Sequence, residues 1–241
     1  MALSPYSIRA RVRRAAFVLL TGAALLGMAP AEAATSTSLP AATARCTADT
    51  GPYQRQLEGF LRLRVDGVQS DADCEAIRRF QQRQGVRPAD GTANLWTYRM
   101  MLVVQAGRNP NRAGHCPVRP RRVTCVDMDR QLLWVQTGRR VDFGPVPVRT
   151  GRDGQETRHG WHTVYWRHRD HYSNLFHHAP MPYAQFFDRG QALHGSPHDL
   201  YNGGGSAGCI NLRVPDAERL WQLLKVGDLV YVWGAKPGTL G

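Results

Sequence analysis

The spacing of apolar residues changes once along the chain, and this change constrains the fold more than any other feature of the sequence. Across residues 53–104 the apolar side chains recur at helical spacing in three runs, with turns at Asp66-Gly67 and Asp90-Gly91. After a linker-like segment at residues 109–114 the pattern alternates, as it does in β-strands. We therefore predict an α+β protein, with a small three-helix unit followed by a mainly β domain.

The second half of the chain contains several short runs that are typical of strands. The predicted strands cover residues 123–126, 132–135, 141–148, 161–166, 191–194 and 228–233. Residues 215–224 differ, because Ala217, Leu220, Leu223 and Leu224 recur at helical spacing. The sequence thus predicts one helix near the end of the β domain.

The first residues are typical of a signal peptide. Arg9, Arg11, Arg13 and Arg14 precede an apolar run, and small residues for cleavage follow at Ala31-Glu32-Ala33. The run is too short and too rich in Ala and Gly to make a good membrane span, so we expect export, a signal peptide over residues 1–33 and no stable span after cleavage. An uncleaved anchor is the alternative, and the Arg pair leaves twin-arginine export open. Residues 34–48 are predicted to be a flexible spacer.

The strong positive charge suggests anionic partners but does not choose among them. The chain has 31 Lys and Arg against 19 Asp and Glu, a formal net charge of +12. For an exported chain the obvious polyanions are nucleic acid and the polymers of a cell wall. A solvated, arginine-rich surface without a polyanionic partner explains the charge equally well.

Five cysteines follow the predicted signal peptide, and export would place them where disulfides persist. Cys46 and Cys74 lie in the helical half, whereas Cys116 and Cys125 bracket the start of the β half. The economical prediction is one local disulfide in each pair. Because the count is odd, Cys209 would then be the free thiol.

Two short segments contain the parts that a cysteine nucleophile needs. A thiol that attacks a carbonyl requires a base to deprotonate it and donors for the oxyanion that forms. His194-Gly195 ends a predicted strand, and a glycine-rich loop leads from it to Ser206-Ala207-Gly208-Cys209. Gly208 lets the backbone turn sharply, so that the amides of Gly208 and Cys209 can face the same point as the sulfur.

These segments together resemble the signature of the L,D-transpeptidase catalytic domain, in which a strand ending in His-Gly leads through a loop to Ser-His-Gly-Cys. Three neighbouring segments agree with that family: Thr157-Arg158-His159-Gly160, Met181-Pro182-Tyr183-Ala184-Gln185-Phe186 and Pro215-Asp216-Ala217. The resemblance covers about residues 121–232. It implies a sandwich- or barrel-like catalytic domain over residues 119–235, followed by a tail over residues 236–241.

The resemblance also implies a role for each site residue. His194 would deprotonate Cys209, with Ser206 and a backbone carbonyl near Gly195 holding the imidazole in its working tautomer. The thiolate would attack a peptidoglycan stem peptide ahead of its terminal D-alanine, and an amine of a neighbouring stem would resolve the thioester. A carbapenem should acylate the same sulfur. The candidates that would line the substrate groove are Asn211, Tyr183, Phe186 and Trp161.

One position departs from the family. The second residue of the Ser-His-Gly-Cys signature is Ala207 in this chain. Because the base of the family is the histidine of the earlier His-Gly, retained as His194, the change puts packing and cysteine activation in question more than catalysis itself. A homologue that binds the wall without catalysis is the alternative.

The helical unit resembles the three-helix peptidoglycan-binding module. The motif of that module, two Asp-Gly turns around an Ala-x-x-x-Phe-Gln helix, is met by Asp66-Gly67, Ala76-Ile77-Arg78-Arg79-Phe80-Gln81 and Asp90-Gly91. The predicted domain covers residues 49–107 and a linker covers residues 108–118. The expected partners are therefore peptidoglycan stem peptides and glycan, with no nucleic acid. A helical spacer without affinity for the wall is the alternative.

Other enzyme classes fit the residues less well. A papain-like peptidase usually has its cysteine before its histidine, whereas His194 precedes Cys209 here. An L,D-carboxypeptidase of the same fold, in which water resolves the thioester, stays open. Several histidines fall three residues apart, but His159 and His162 flank a strand-like run in which such residues point to opposite sides. We therefore expect no metal and no cofactor.

Overall fold

The computed structural model describes Cys46, residues 48–201 and residues 205–238. The predicted signal peptide, most of the predicted spacer and the end of the predicted tail lie outside the described residues. Within these residues no helix is both long enough and apolar enough to span a membrane.

Three helices occupy the N-terminal part, as the apolar spacing predicts: α1 (Gln54–Leu61), α2 (Asp71–Gln84) and α3 (Leu95–Ala106). The ends of α2 follow from single residues. The Ser70 hydroxyl accepts a hydrogen bond from the Asp73 amide, and the Asp73 carboxylate accepts one from the Ser70 amide, which together form a capping box. Gly85 ends the helix in the left-handed conformation that glycine adopts at least cost.

A core of its own and a disulfide hold the three helices together. Leu57, Ile77 and Phe80 are buried in one apolar cluster. The buried amide of Gln81 fixes the second Asp-Gly turn, because it accepts from the Gly91 amide and donates to the carbonyl of Thr92. The predicted disulfide between Cys46 and Cys74 is present and packs against this turn.

The described residues of the β half form nine strands and one helix. They are β1 (Arg122–Asp127), β2 (Leu132–Thr137), β3 (Arg140–Pro147), β4 (Gly160–Thr163), β5 (Trp166–Tyr172), β6 (Pro180–Asp188), β7 (Gln191–Ser196), β8 (Ile210–Arg213), α4 (Val214–Leu223) and β9 (Leu229–Trp233). One sheet has the strand order β3-β2-β1-β9-β4 and the other has β5-β6-β7-β8. Buried apolar side chains from both sheets and from α4 form the main core, among them Leu133, Leu193 and Leu220.

One predicted strand is wrong in its extent. Residues 161–166 form not a single strand but the parts of two, β4 in the first sheet and β5 in the second. The amide of Val164 donates to the carbonyl of Asp228, next to the first sheet, whereas the amide of Tyr165 donates to Phe186 in the second. Consecutive amides thus bond to different sheets, and the chain crosses from the first sheet to the second between Val164 and Tyr165.

The helical unit contacts the β half through α3. Trp96 packs edge-on against Tyr201, with ring centroids 5.1 Å apart, and the guanidinium of Arg213 lies over the same indole. Arg99 donates to the carbonyl of Arg130 at 3.2 Å. The α3 helix therefore contacts the segment before Cys209, through Tyr201, and strand β8 after Cys209, through Arg213.

Candidate active site

Parallel pairing of β7 with β8 brings the two halves of the histidine–cysteine motif together. His194 lies opposite Asn211 in this ladder, and Leu193 lies opposite Ile210. Cys209 immediately precedes β8, so its side chain is placed beside the buried strand that carries His194. Both side chains line one cavity of about 260 Å³.

All five cysteines lie in the described residues, and of these Cys209 alone has no disulfide, since Cys116 bonds to Cys125 and Cys46 to Cys74. Burial raises the pKa of the Cys209 thiol, and a hydrogen bond with the backbone of Ala192 partly opposes that effect. The thiol form therefore predominates near neutral pH, and the sulfur needs a base before it can attack.

His194 has the properties of such a base. Its Nδ1 lies 2.8 Å from the carbonyl oxygen of Gly195, which can only accept, so Nδ1 carries the proton and Nε2 is left basic. The ring is 7 % exposed, and chiefly this burial lowers the pKa of His194 to about 4, although the bond to Gly195 opposes the shift. The imidazole is therefore neutral at pH 7, and the lone pair of Nε2 is not blocked by a proton.

A network of buried hydrogen bonds holds the backbone in front of the nucleophile. The Thr157 hydroxyl donates to the carbonyl of Gly208 at 2.9 Å and accepts from the amide of Gly151 at 3.0 Å. Gln191 packs against the other side of Gly208 and bonds to the backbone of Glu156 and Arg158. These contacts fix the turn whose amides precede the sulfur.

Ser206 has a different contact from the one that the sequence predicts for it. Its hydroxyl donates to the carbonyl of Cys209 at 2.6 Å, and its own carbonyl accepts from the amide of Arg152. The imidazole of His194 contacts the carbonyl of Gly195, the other partner that the sequence predicts for it. Ser206 thus supports the loop around the nucleophile.

Two cavities meet at Cys209. Cavity A contains His194 and Asn211 and is also lined by Arg149, Arg152 and Ser206. Cavity B, of about 450 Å³, lies along β5 and β6 and is lined by aromatic and polar side chains that include Trp166, His171, Phe186 and Gln191. Cys209 and Ala207 line both cavities, so that the small side chain of Ala207 lies where the two meet.

The predicted groove residues divide between these cavities and other places. Asn211 lines cavity A and Phe186 lines cavity B. Tyr183 packs against the main core near Trp221 and is not among the residues that line either cavity. Trp161 lies on the first sheet, where it packs against Tyr231 and lines a separate shallow pocket with Arg119.

Several residues at the site escape sequence-based reasoning. Thr157 lies in a segment that the family resemblance includes, but its bond to Gly208 joins positions 51 residues apart. Gln191 begins a predicted strand, and His171 is one of several histidines with no motif around it. Within the part of the chain that the structure describes, no group of three potential metal ligands occurs.

Comparison with known proteins agrees with this geometry. A family model described as the L,D-transpeptidase catalytic domain, YkuD, matches residues 121–232. A crystal structure of an L,D-transpeptidase from Stackebrandtia nassauensis is 33% identical, with a TM-score of 0.61, over 80% of this chain and 96% of that chain. This chain belongs to the L,D-transpeptidase family. The predicted family is thus confirmed, and so is the α+β class of the fold.

Other solved L,D-transpeptidases are more distant. One from Mycobacterium tuberculosis H37Rv is 24% identical, with a TM-score of 0.44, over 48% of this chain and 58% of that chain. One from Xylanimonas cellulosilytica is 22% identical, with a TM-score of 0.45, over 77% of this chain and 95% of that chain. No curated protein sequence matches this chain.

Proposed function

We propose that this chain is an active L,D-transpeptidase in which Cys209 is the nucleophile and His194 the general base. One observation carries the proposal: the single free cysteine shares a cavity with a buried histidine that is neutral and held in one tautomer. A thiol with a raised pKa next to a neutral imidazole favours proton transfer during attack over a pre-formed ion pair.

In the first half-reaction the Cys209 sulfur attacks the carbonyl carbon that precedes the terminal D-alanine of a donor stem peptide. The proton of the thiol passes to Nε2 of His194 and from there to the departing amine of D-alanine, and a thioester remains on the sulfur. Donors for the transient oxyanion are the amides of Gly208 and Cys209, which the bond from Thr157 holds in place.

Cavity A suits the donor. It contains His194, and Arg149 and Arg152 in its lining are positively charged, which favours a ligand that carries a carboxylate. The donor of an L,D-transpeptidase ends in the carboxylate of D-alanine, one residue beyond the bond that is attacked.

Cross-linking, as opposed to hydrolysis, is favoured by the second cavity. A transpeptidase must admit an acceptor amine to the thioester while the donor remains bound to the sulfur. Cavity B reaches Cys209 from β5 and β6 and has a surface with aromatic side chains for a second peptide. An L,D-carboxypeptidase needs access for water alone.

Ala207 is compatible with activity. The proposed base lies on β7 and not in the Ser-Ala-Gly-Cys segment, and its tautomer is set by Gly195. The missing histidine therefore removes no group from the proposed proton pathway.

We further propose that the protein is exported and that its helical unit binds peptidoglycan. Two disulfides are consistent with an oxidising compartment outside the cytoplasm. The helical unit has its own apolar core, and Gln81 fixes its Asp-Gly turn at Gly91. Both features support the proposal that this unit is a separate small binding module.

The proposal is tested by incubating the protein without residues 1–33 with purified disaccharide tetrapeptides and identifying the products by mass spectrometry. Free D-alanine together with a cross-linked dimer is expected. D-alanine with only the disaccharide tripeptide would indicate an L,D-carboxypeptidase. Neither product, with retention on peptidoglycan, would indicate a wall-binding protein that lacks catalysis.

A further inference from the structure

Cavity B contains one histidine among its lining residues, and the family motif does not include it. His171 lies on β5 and lines this cavity together with Cys209 and Ala207. His194 lines cavity A and not cavity B. Each cavity that reaches the sulfur therefore has an imidazole of its own.

Aromatic neighbours hold the His171 ring in place. Its edge packs against Phe186, with ring centroids 5.1 Å apart, and against Trp166 at 5.4 Å. The ring of His168 contacts it at 5.4 Å from the exposed side of the same strand. A half-buried ring with neighbours of this kind has few orientations, which is what a group that exchanges protons at a fixed point requires.

The charge state of His171 also suits a base. Burial lowers the pKa of His171, and the neighbouring His168 lowers it further. The titratable and charged groups around it are His168, His194 and Cys209, with Arg158 and Arg189 in the wall of cavity B. None of these is a carboxylate, and the Cys209 thiol is un-ionised near neutral pH, so the ring of His171 is neutral near pH 7.

The second half-reaction needs a base on the acceptor's side of the sulfur. An amine that forms an amide must lose a proton as its nitrogen attacks the thioester carbonyl. An acceptor that enters through cavity B passes the ring of His171, whereas the donor stem binds on the side of cavity A, which contains His194. This argument rests on the proposed transpeptidase function.

We propose that His171 is the general base of the acceptor half-reaction. The acceptor nitrogen forms a bond to the carbonyl carbon of the thioester, and the π electron pair moves to the oxygen. A proton on that nitrogen passes to a ring nitrogen of His171. The intermediate then collapses, the carbon–sulfur bond breaks with its electron pair going to Sγ of Cys209, and the thiolate recovers a proton from the imidazolium directly or through solvent.

The test separates the two half-reactions in the full mature chain. His171→Gln is compared with His168→Gln, which removes the neighbouring ring on the same strand from a position outside the lining of both cavities. Acylation is followed as the mass adduct of a carbapenem on Cys209, and transfer as cross-linked dimer formed from disaccharide tetrapeptides. The adduct also shows that the variant is folded around the nucleophile.

His171→Gln is expected to change the acylation rate by less than about threefold and to lower dimer formation by at least about tenfold, since loss of a general base typically costs on the order of 100- to 10,000-fold. The fraction of thioester lost to water should rise. In the unmodified chain the rate of dimer formation should fall at acidic pH, below the ordinary histidine pKa. This fall should be absent in His171→Gln and present in His168→Gln.

Three outcomes would overturn the proposal. They are undiminished dimer formation in His171→Gln, an equal loss of dimer in His168→Gln, and an unchanged pH profile. The absence of any adduct or D-alanine release in the unmodified chain would instead refute the transpeptidase function itself, so the two failures are distinguishable.

Discussion

Gly208 and Gln191 lie so close that position 208 admits no side chain. A Cβ atom on Gly208 would lie 1.9 Å from Nε2 of Gln191, and the glycine has a φ of +101° that other residues rarely adopt. Gln191 cannot withdraw without losing its bonds to the backbone of Glu156 and Arg158. The turn in front of Cys209 is therefore fixed from both sides, by Gln191 and by Thr157.

Gly208→Ala is expected to reduce acylation of Cys209 by at least about tenfold. It should lower the free energy of unfolding by more than Gly138→Ala does, because the added Cβ meets Gln191 in addition to the cost of about 1–3 kcal/mol for a strained non-glycine residue. Gly138→Ala is the matched control, because Gly138 also has a positive φ but has no atom within 4 Å of the added Cβ. Adduct mass spectrometry and urea unfolding measure the two effects. Equal behaviour of the two variants would contradict the role given to Gln191.

The low pKa of His194 predicts how acylation depends on pH. A base is active when neutral, and burial lowers the pKa of His194 to about 4, so acylation should remain on its plateau from pH 7 down to about pH 5 and fall near pH 4. An exposed histidine would give a fall near pH 6.5. The rate of carbapenem adduct formation between pH 3.5 and pH 8 measures this limb, and a midpoint above pH 6 would show that the histidine is solvated.

The same buried imidazole predicts a dependence of stability on pH. The folded protein resists protonation of His194 until about pH 4, whereas the unfolded chain accepts a proton near pH 6.5. The contribution of His194 to the free energy of unfolding is fully present above pH 6.5. It is lost as the pH falls towards 4, by about 3 kcal/mol in all. Urea unfolding should show a lower free energy of unfolding at pH 4.5 than at pH 7, and the difference should be smaller in His194→Gln. An equal difference in the variant would show that other groups cause the loss of stability.

The pattern of disulfides predicts a single reactive thiol. Iodoacetamide applied to the mature protein under denaturing, non-reducing conditions should label Cys209 alone, because the other four cysteines are bonded in pairs. Labelling of all five cysteines after reduction is the control. Modification of Cys46, Cys74, Cys116 or Cys125 without reduction would contradict the pairing.

The elements could be predicted from the sequence where local signals are strong. The motif Ala76-Ile77-Arg78-Arg79-Phe80-Gln81 lies within α2, whose ends are capped by Ser70 and Gly85 through backbone groups only a few residues away. The division of residues 161–166 between two sheets could not be predicted, because periodicity shows which residues are extended but not which neighbour accepts from each amide.

The residues of the candidate site also divide into those that the sequence predicts and those that it does not. His194 and Cys209 belong to a motif that is continuous enough to recognise, and the structure places both in cavity A. Gln191 and His171 lie on strands that reach the site through sheet pairing, and no motif around them marks them. Thr157 lies in a segment that resembles the family, but its bond to Gly208, 51 residues away, is not visible in the sequence. Trp161 and Tyr183 lie near family motifs and are predicted to line the groove, but they line neither cavity. Trp161 packs against Tyr231, and Tyr183 packs against the main core.

The most direct test of the account is the rate of adduct formation on Cys209, measured by intact mass with a carbapenem for the unmodified chain, His194→Ala and Ala207→His. If His194 is the base, the unmodified chain forms the adduct, His194→Ala loses on the order of 100- to 10,000-fold, and Ala207→His changes the rate modestly. An unmodified chain that forms no adduct, with an Ala207→His variant that does, would contradict the account and assign the missing activity to the absent histidine.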